Sequence, residues 1–196
     1  RQSKTLTPLG SYWKGRKPLF LNKACILGAS LPATHSPLRD LEIFEFLMGM
    51  DEQSMQKRIE ITLPPSKKDT IGEYLTLSFS DQVFKAKRAE ELSDALFSHI
   101  WKKVNDHLGT SAHSFPELIE QMGIARFGHR PKVADVFCGS GQIPFEAARL
   151  GCDVYASDLN PIACMLTWGG INIVGSLLSA DKINKSHEKI LRSIQR

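Results

Sequence analysis

Val133-Ala134-Asp135-Val136-Phe137-Cys138-Gly139-Ser140-Gly141, answered further on by Asp153-Val154-Tyr155-Ala156-Ser157-Asp158, is the stretch on which the fold turns. Val133 to Phe137 reads as a buried parallel strand, Gln142 to Leu150 as a helix, and Asp153 to Ser157 as a second strand. Pro161 then opens another helix, since proline suits a first helical turn. Strand, turn, helix and strand make a βαβ unit. The turn between the first strand and the helix needs glycine, which allows positive φ and lets the backbone approach a ligand without a Cβ in the way. Gly139 and Gly141 fit that role. An acid at the tip of the second strand can accept hydrogen bonds from both ribose hydroxyls of a nucleoside held over the turn. Asp158 lies 19 positions past Gly139, close to the roughly 20 of nucleoside-binding βαβ units. A dinucleotide fingerprint is not met, because Gly139-Ser140-Gly141-Gln142-Ile143-Pro144 places proline at the third glycine. A reader of pyrophosphate is therefore disfavoured.

The same residues carry a family resemblance. Asp135-Val136-Phe137-Cys138-Gly139-Ser140-Gly141 resembles the D-P-F-x-G-S-G motif of amino-group DNA methyltransferases, with Val136 where proline is usual. The continuation through Ile143-Pro144-Phe145-Glu146-Ala147-Ala148-Arg149-Leu150-Gly151 and Tyr155-Ala156-Ser157-Asp158-Leu159-Asn160-Pro161 is similar to large bacterial adenine-specific DNA methylases, some of them linked to phage defence. The resemblance implies a class I fold with S-adenosylmethionine as cofactor and DNA as partner. It places Asp135, Gly139 and Gly141 around the amino-acid part of the cofactor, Asp158 at the ribose, Phe137 near the methionine moiety and Leu159 against the adenine. Tyr12-Trp13-Lys14-Gly15-Arg16-Lys17-Pro18-Leu19 resembles the Y-W-x-x-K/R-P arm of the same methylases. Trp13 can stack on a base, and Lys14, Arg16 and Lys17 can pair with phosphate. The competing reading is a surface arm whose tryptophan anchors on the domain.

One motif of that family is missing. Amino-group methyltransferases carry (D/N/S)-P-P-(Y/F/W), whose polar side chain and carbonyl accept hydrogen bonds from the target amine while the ring stacks on the extruded base. The nearest string, Leu63-Pro64-Pro65-Ser66, offers leucine where an acceptor is needed and serine where a ring is needed, so it reads as a loop. The expectation is an amino-terminal part of a longer methylase, a chain completed by a partner subunit, or a degenerate gene product, with no catalytic residue and no transferase activity of its own. Two alternatives stand beside it. One is an RNA or other class I methyltransferase, because fold does not fix substrate. The other is a non-catalytic nucleic-acid-binding module in which the glycine turn is a relic.

Composition fits a globular α/β chain of 196 residues, with 42% hydrophobic and 23% charged residues. No apolar run reaches the roughly 18 residues of a membrane span, and Arg1 to Lys17 lacks the apolar core of a signal peptide, so a cytoplasmic location is expected. A net charge of +4 tolerates a polyanion without requiring one. Cys25, Cys138, Cys152 and Cys164 form no C-x-x-C pair, which argues against a zinc or disulfide framework, and all four read as buried or half-buried. Cys138 is read as a small turn residue, His99 as core, His129 as solvated and Glu146 as exposed or capping. The basic run from Arg126 to Lys132 can touch phosphate or form a charged face.

Ahead of the βαβ unit the chain reads as mostly helical. The division is a helical region with a basic, aromatic arm over 1–125, and the first half of a Rossmann-like methyltransferase domain, its parallel sheet incomplete, over 126–196. Helices are expected over Leu19 to Leu31, from Pro37 with Leu38, Leu41, Phe44, Leu47 and Met48 on the core face, over Lys87 to Leu108, and over Phe115 to Met122. Arg58 to Leu63 and Glu73 to Phe79 are expected as strands.

Overall fold

A computed structural model describes residues 18–64, 66, 70–88 and 94–174. It is mostly helical with a small parallel sheet. The helices before the sheet are α1 (Leu19–Ser30), α2 (Pro37–Met48), α3 (Glu52–Thr62), α4 (Ile71–Leu75), α5 (Phe79–Lys85), α6 (Trp101–Leu108) and α7 (Phe115–Phe127). Then come β1 (Lys132–Asp135), α8 (Gln142–Leu150), β2 (Asp153–Ala156) and α9 (Pro161–Trp168), which runs into a π-helical turn, Gly169–Val174. The arm residues Trp13, Lys14, Arg16 and Lys17 lie outside the described residues. No helix among the described residues is long and apolar enough to cross a membrane.

The βαβ unit is present. β1 and β2 pair in parallel, with Lys132 opposite Asp153 and Asp135 opposite Ala156. The first strand is displaced from its expected place, because Val136 and Phe137 belong to the turn. Nor are the strands buried on both faces. Val133 and Val154 pack on the core, whereas Lys132, Ala134, Asp153 and Tyr155 are exposed. α8 covers the inner face of both strands and packs in turn against α1. One hydrophobic core, including Ile26, Leu47, Ile100, Leu118, Ile119, Ala147 and Leu150, runs from the helical region into the βαβ unit. A second, formed by Met55, Ile59, Leu63 and Ala86, joins α3 to α4 and α5.

Both strands expected in the helical region are helix instead. Arg58 to Thr62 lies in α3, where Asp51 caps the first turn by accepting from the Ser54 amide at 3.0 Å. Ile59, Ile61 and Leu63 do alternate, but Met55, Ile59 and Leu63 repeat every four residues and are the ones buried, while Ile61 is exposed. The helical period won because it gathers more apolar surface on one side. Glu73 to Leu75 belongs to α4, and Phe79 starts α5 behind Ser78, which accepts from the Asp81 amide. The long helix expected up to Leu108 is broken among its described residues. A 3₁₀ segment, Asp94–Phe97, and a turn at 98–100 precede α6, although Leu96, Ile100 and Val104 keep their buried face. In α2 the buried face is rotated to Ile43, Phe46 and Leu47, leaving Leu38 and Leu41 exposed.

Two acid–histidine pairs tie distant helices. His99 Nε2 meets Asp51 Oδ1 at 3.0 Å, so this expected core histidine has a polar partner. His107, in the last turn of α6, donates from Nε2 to Asp40 Oδ1 at 2.7 Å. Thr34 adds its hydroxyl to Oδ1 and its amide to Oδ2 of the same carboxylate. These bonds, that of His107 foremost, hold the Asp40 carboxyl below its ordinary value. The unfolded chain takes up this proton near about pH 3.9, the folded chain only at lower pH. The contribution is therefore complete at neutral pH and is lost as pH falls through that acid window. Asp40→Asn should make urea midpoints less steep with pH below about 4; an unchanged acid limb would show the bonds to be silent in stability.

Candidate functional site

The glycine turn sits at the carboxyl ends of the two strands, where open α/β sheets hold their ligands. The loop is closed by backbone bonds: the Cys138 amide donates to Ser157 O, the Ser157 amide to Asp135 O, and the Gly141 amide to Cys138 O. Gly139 and Gly141 have φ of 53° and 77°, the left-handed region that favours glycine. Gly141 is the N-cap of α8 and supplies no side-chain cap, so the first amides of α8 point outward with the positive end of the helix behind them.

Asp158 is brought to this turn. Its Oδ2 accepts from the Gly139 amide at 2.8 Å and its Oδ1 from the Asn160 amide at 2.9 Å. The Asn160 bond first, then that of Gly139, holds the carboxyl below its ordinary value. Asp158 is thus a charged acceptor fixed over the loop, and an ionised carboxylate has about four acceptor positions. Asp135 Oδ1 accepts from the Phe137 amide at 3.2 Å. Phe137 and Leu159 flank the turn at 75% and 91% exposure, two large apolar side chains open to solvent. All six residues expected to hold the cofactor, Asp135, Phe137, Gly139, Gly141, Asp158 and Leu159, are therefore in or beside one loop pair.

The structure adds one participant that no local signal marked. A Cβ on Gly141 would fall 2.6 Å from Thr167 Oγ1, so the space kept clear by this glycine is filled by α9. Thr167 Oγ1 also donates to Gly139 O at 3.3 Å and lies 3.4 Å from Cys138 Sγ. The space beside Gly141 is thus taken by α9. Burial pushes the Cys138 thiol up, which suits a packed turn residue. Burial likewise raises the Cys152 thiol, but Cys25 and Cys164 are exposed, contrary to the expectation for all four. Glu146, expected to be exposed or capping, is fully buried and accepts from Arg149 Nη2 at 3.1 Å. His129 is exposed as expected.

A family described as "Protein of unknown function (DUF1156)" matches residues 1–60, a stretch that takes in the Tyr12 to Leu19 arm, α1, α2 and most of α3. No curated protein and no solved structure matches the chain.

Proposed function

We propose that the βαβ unit is the S-adenosylmethionine-binding part of a Rossmann-like adenine-N6 DNA methyltransferase. The observation that carries this is the link between the Asp158 carboxylate and the Gly139 amide, which sets a fixed acceptor beside a glycine turn at the carboxyl ends of parallel strands. Asp158 would take the ribose hydroxyls, and the turn with Asp135 and the uncapped start of α8 would take the amino-acid part. Leu159 would cover the adenine and Phe137 the methionine chain. DNA is the partner, with the target base extruded to meet the methyl group.

The chain's own residues bind and orient but do not catalyse. Leu63 of the Leu63-Pro64-Pro65-Ser66 string is buried in the second core, where it serves packing. Seven large apolar residues between Val136 and Trp168 are at least half exposed, among them Tyr155 on β2 and Ile162, Met165 and Trp168 on α9. Exposure on that scale suits a surface completed by further chain or by a partner subunit that supplies the catalytic motif.

Calorimetric titration tests the reading. S-adenosylmethionine should bind saturably, NAD should not, and Asp158→Ala should weaken the former by roughly 10- to 100-fold, the loss expected for hydrogen bonds to a charged group. A folded chain that takes up no S-adenosylmethionine, or an Asp158→Ala variant that binds it unchanged, refutes the assignment.

A further inference from the structure

At the opposite end of β1 from the glycine turn, a cleft of about 390 Å³ opens between α1, the end of α7 and the first residues of the strand. That size falls within the roughly 300–1,000 Å³ of small-molecule sites. Its walls are largely apolar, with Ile26 and Ala29 from α1, Phe127 from α7 and Val133 from β1, and its polar rim carries His129 and Lys132. Among the described residues no acidic side chain lines it.

The rim has the groups that read a nucleotide. Phe127 is half exposed, and the His129 ring stacks against it at 6.2 Å with planes 25° apart. The Arg126 guanidinium lies 5.0 Å from the Phe127 ring centre and donates to Ala29 O, which holds this stack against α1. His129 Nδ1 donates to Arg130 O at 2.6 Å, so the ring is oriented and its Nε2 is left for a ligand. Arg130 is engaged with Glu120 at 2.8 Å. Lys132 has no ion pair among the described residues, which leaves its ammonium for an anion.

We propose that this cleft binds a nucleotide, its base against the apolar wall and the Phe127–His129 stack and its phosphate on Lys132. Stacking accepts any base and the ammonium any phosphate, so recognition here is of an unpaired nucleotide without regard to sequence. The assignment stands apart from the cofactor reading, since the two places lie at opposite ends of β1.

The test is anisotropy or calorimetry on the full chain with two probes, deoxyadenosine monophosphate and a single strand of about twelve deoxyadenosines. Binding of the monophosphate as tightly as the strand assigns the cleft to a free nucleotide, and tighter binding of the strand assigns it to nucleic acid. Phe127→Ala should weaken binding about tenfold. Lys132→Glu, a change at an exposed position, should weaken it and lower the salt slope by about one phosphate contact. S-adenosylmethionine titrations should be the same in Lys132→Glu and the unaltered chain, whichever way the cofactor reading falls. Absence of nucleotide binding, or equal affinity in the unaltered chain and Lys132→Glu, overturns the proposal.

Discussion

Gly151→Ala should destabilise the protein by about 2–5 kcal/mol, the sum of backbone strain and overpacking at one position. Gly151 ends α8 with φ 101° and ψ 12°, and its amide and that of Cys152 close the helix on Ala148 O and Ala147 O. An alanine there meets two obstacles. Its backbone must hold a positive φ that side-chain-bearing residues rarely adopt. Its Cβ falls 2.6 Å from Pro116 Cα, and backbone atoms cannot swing aside as a side-chain tip can. Pro116 follows Phe115, whose ring packs edge-on against Phe97 at 4.9 Å and Trp101 at 5.5 Å, so movement of α7 would disturb the main core. In a chain of this size the loss should lower the melting temperature by about 10 °C. A cost under about 1 kcal/mol would mean that the end of α8 rearranges freely, and that α7 does not fix the height of the βαβ unit.

Gly151 also shows what could be read from the sequence and what could not. A glycine after an amphipathic run signals a helix end, because the signal is local. That Pro116 presses on it, 35 positions earlier, has no local mark. The same division holds at the glycine turn. That Asp135, Gly139 and Asp158 lie together is legible because strand–turn–helix–strand spacing brings them to one end of the strands, whereas the bond from the Gly139 amide to Asp158 has no mark in the sequence. Thr167, which fills the place beside Gly141, belongs to the next helix and could be located only by its packing. The first strand reads too far along the chain because Val136 and Phe137 are apolar, yet they turn out of the sheet and stand exposed. Hydrophobicity is a one-way guide to burial, because much of a folded protein's exposed surface is apolar.

Arg58→Ala should cost about 3–6 kcal/mol, for a reason that propensity could not supply. Read as part of Arg58-Ile59-Glu60-Ile61-Thr62-Leu63, this arginine looks like the polar start of an alternating strand. In α3 it is 3% exposed. Its Nη1 donates to Gly49 O and its Nε to Lys87 O, both at 2.8 Å, and Nη1 also meets Met55 Sδ at 3.0 Å. One side chain thus holds the left-handed turn that ends α2 and the chain leaving α5. Alanine would leave two carbonyls without their charged donor, each loss worth about 1.5–3 kcal/mol, and would open a void beside Met55. Arg58→Lys should cost about half as much, since an ammonium is a single point donor and cannot span both carbonyls as the planar guanidinium does. Urea unfolding of the two variants measures this. Equal losses in both would assign the effect to the guanidinium's packing volume, whereas a milder loss in the lysine variant identifies the bridge between the two carbonyls as what holds α2, α3 and the segment after α5 in one unit.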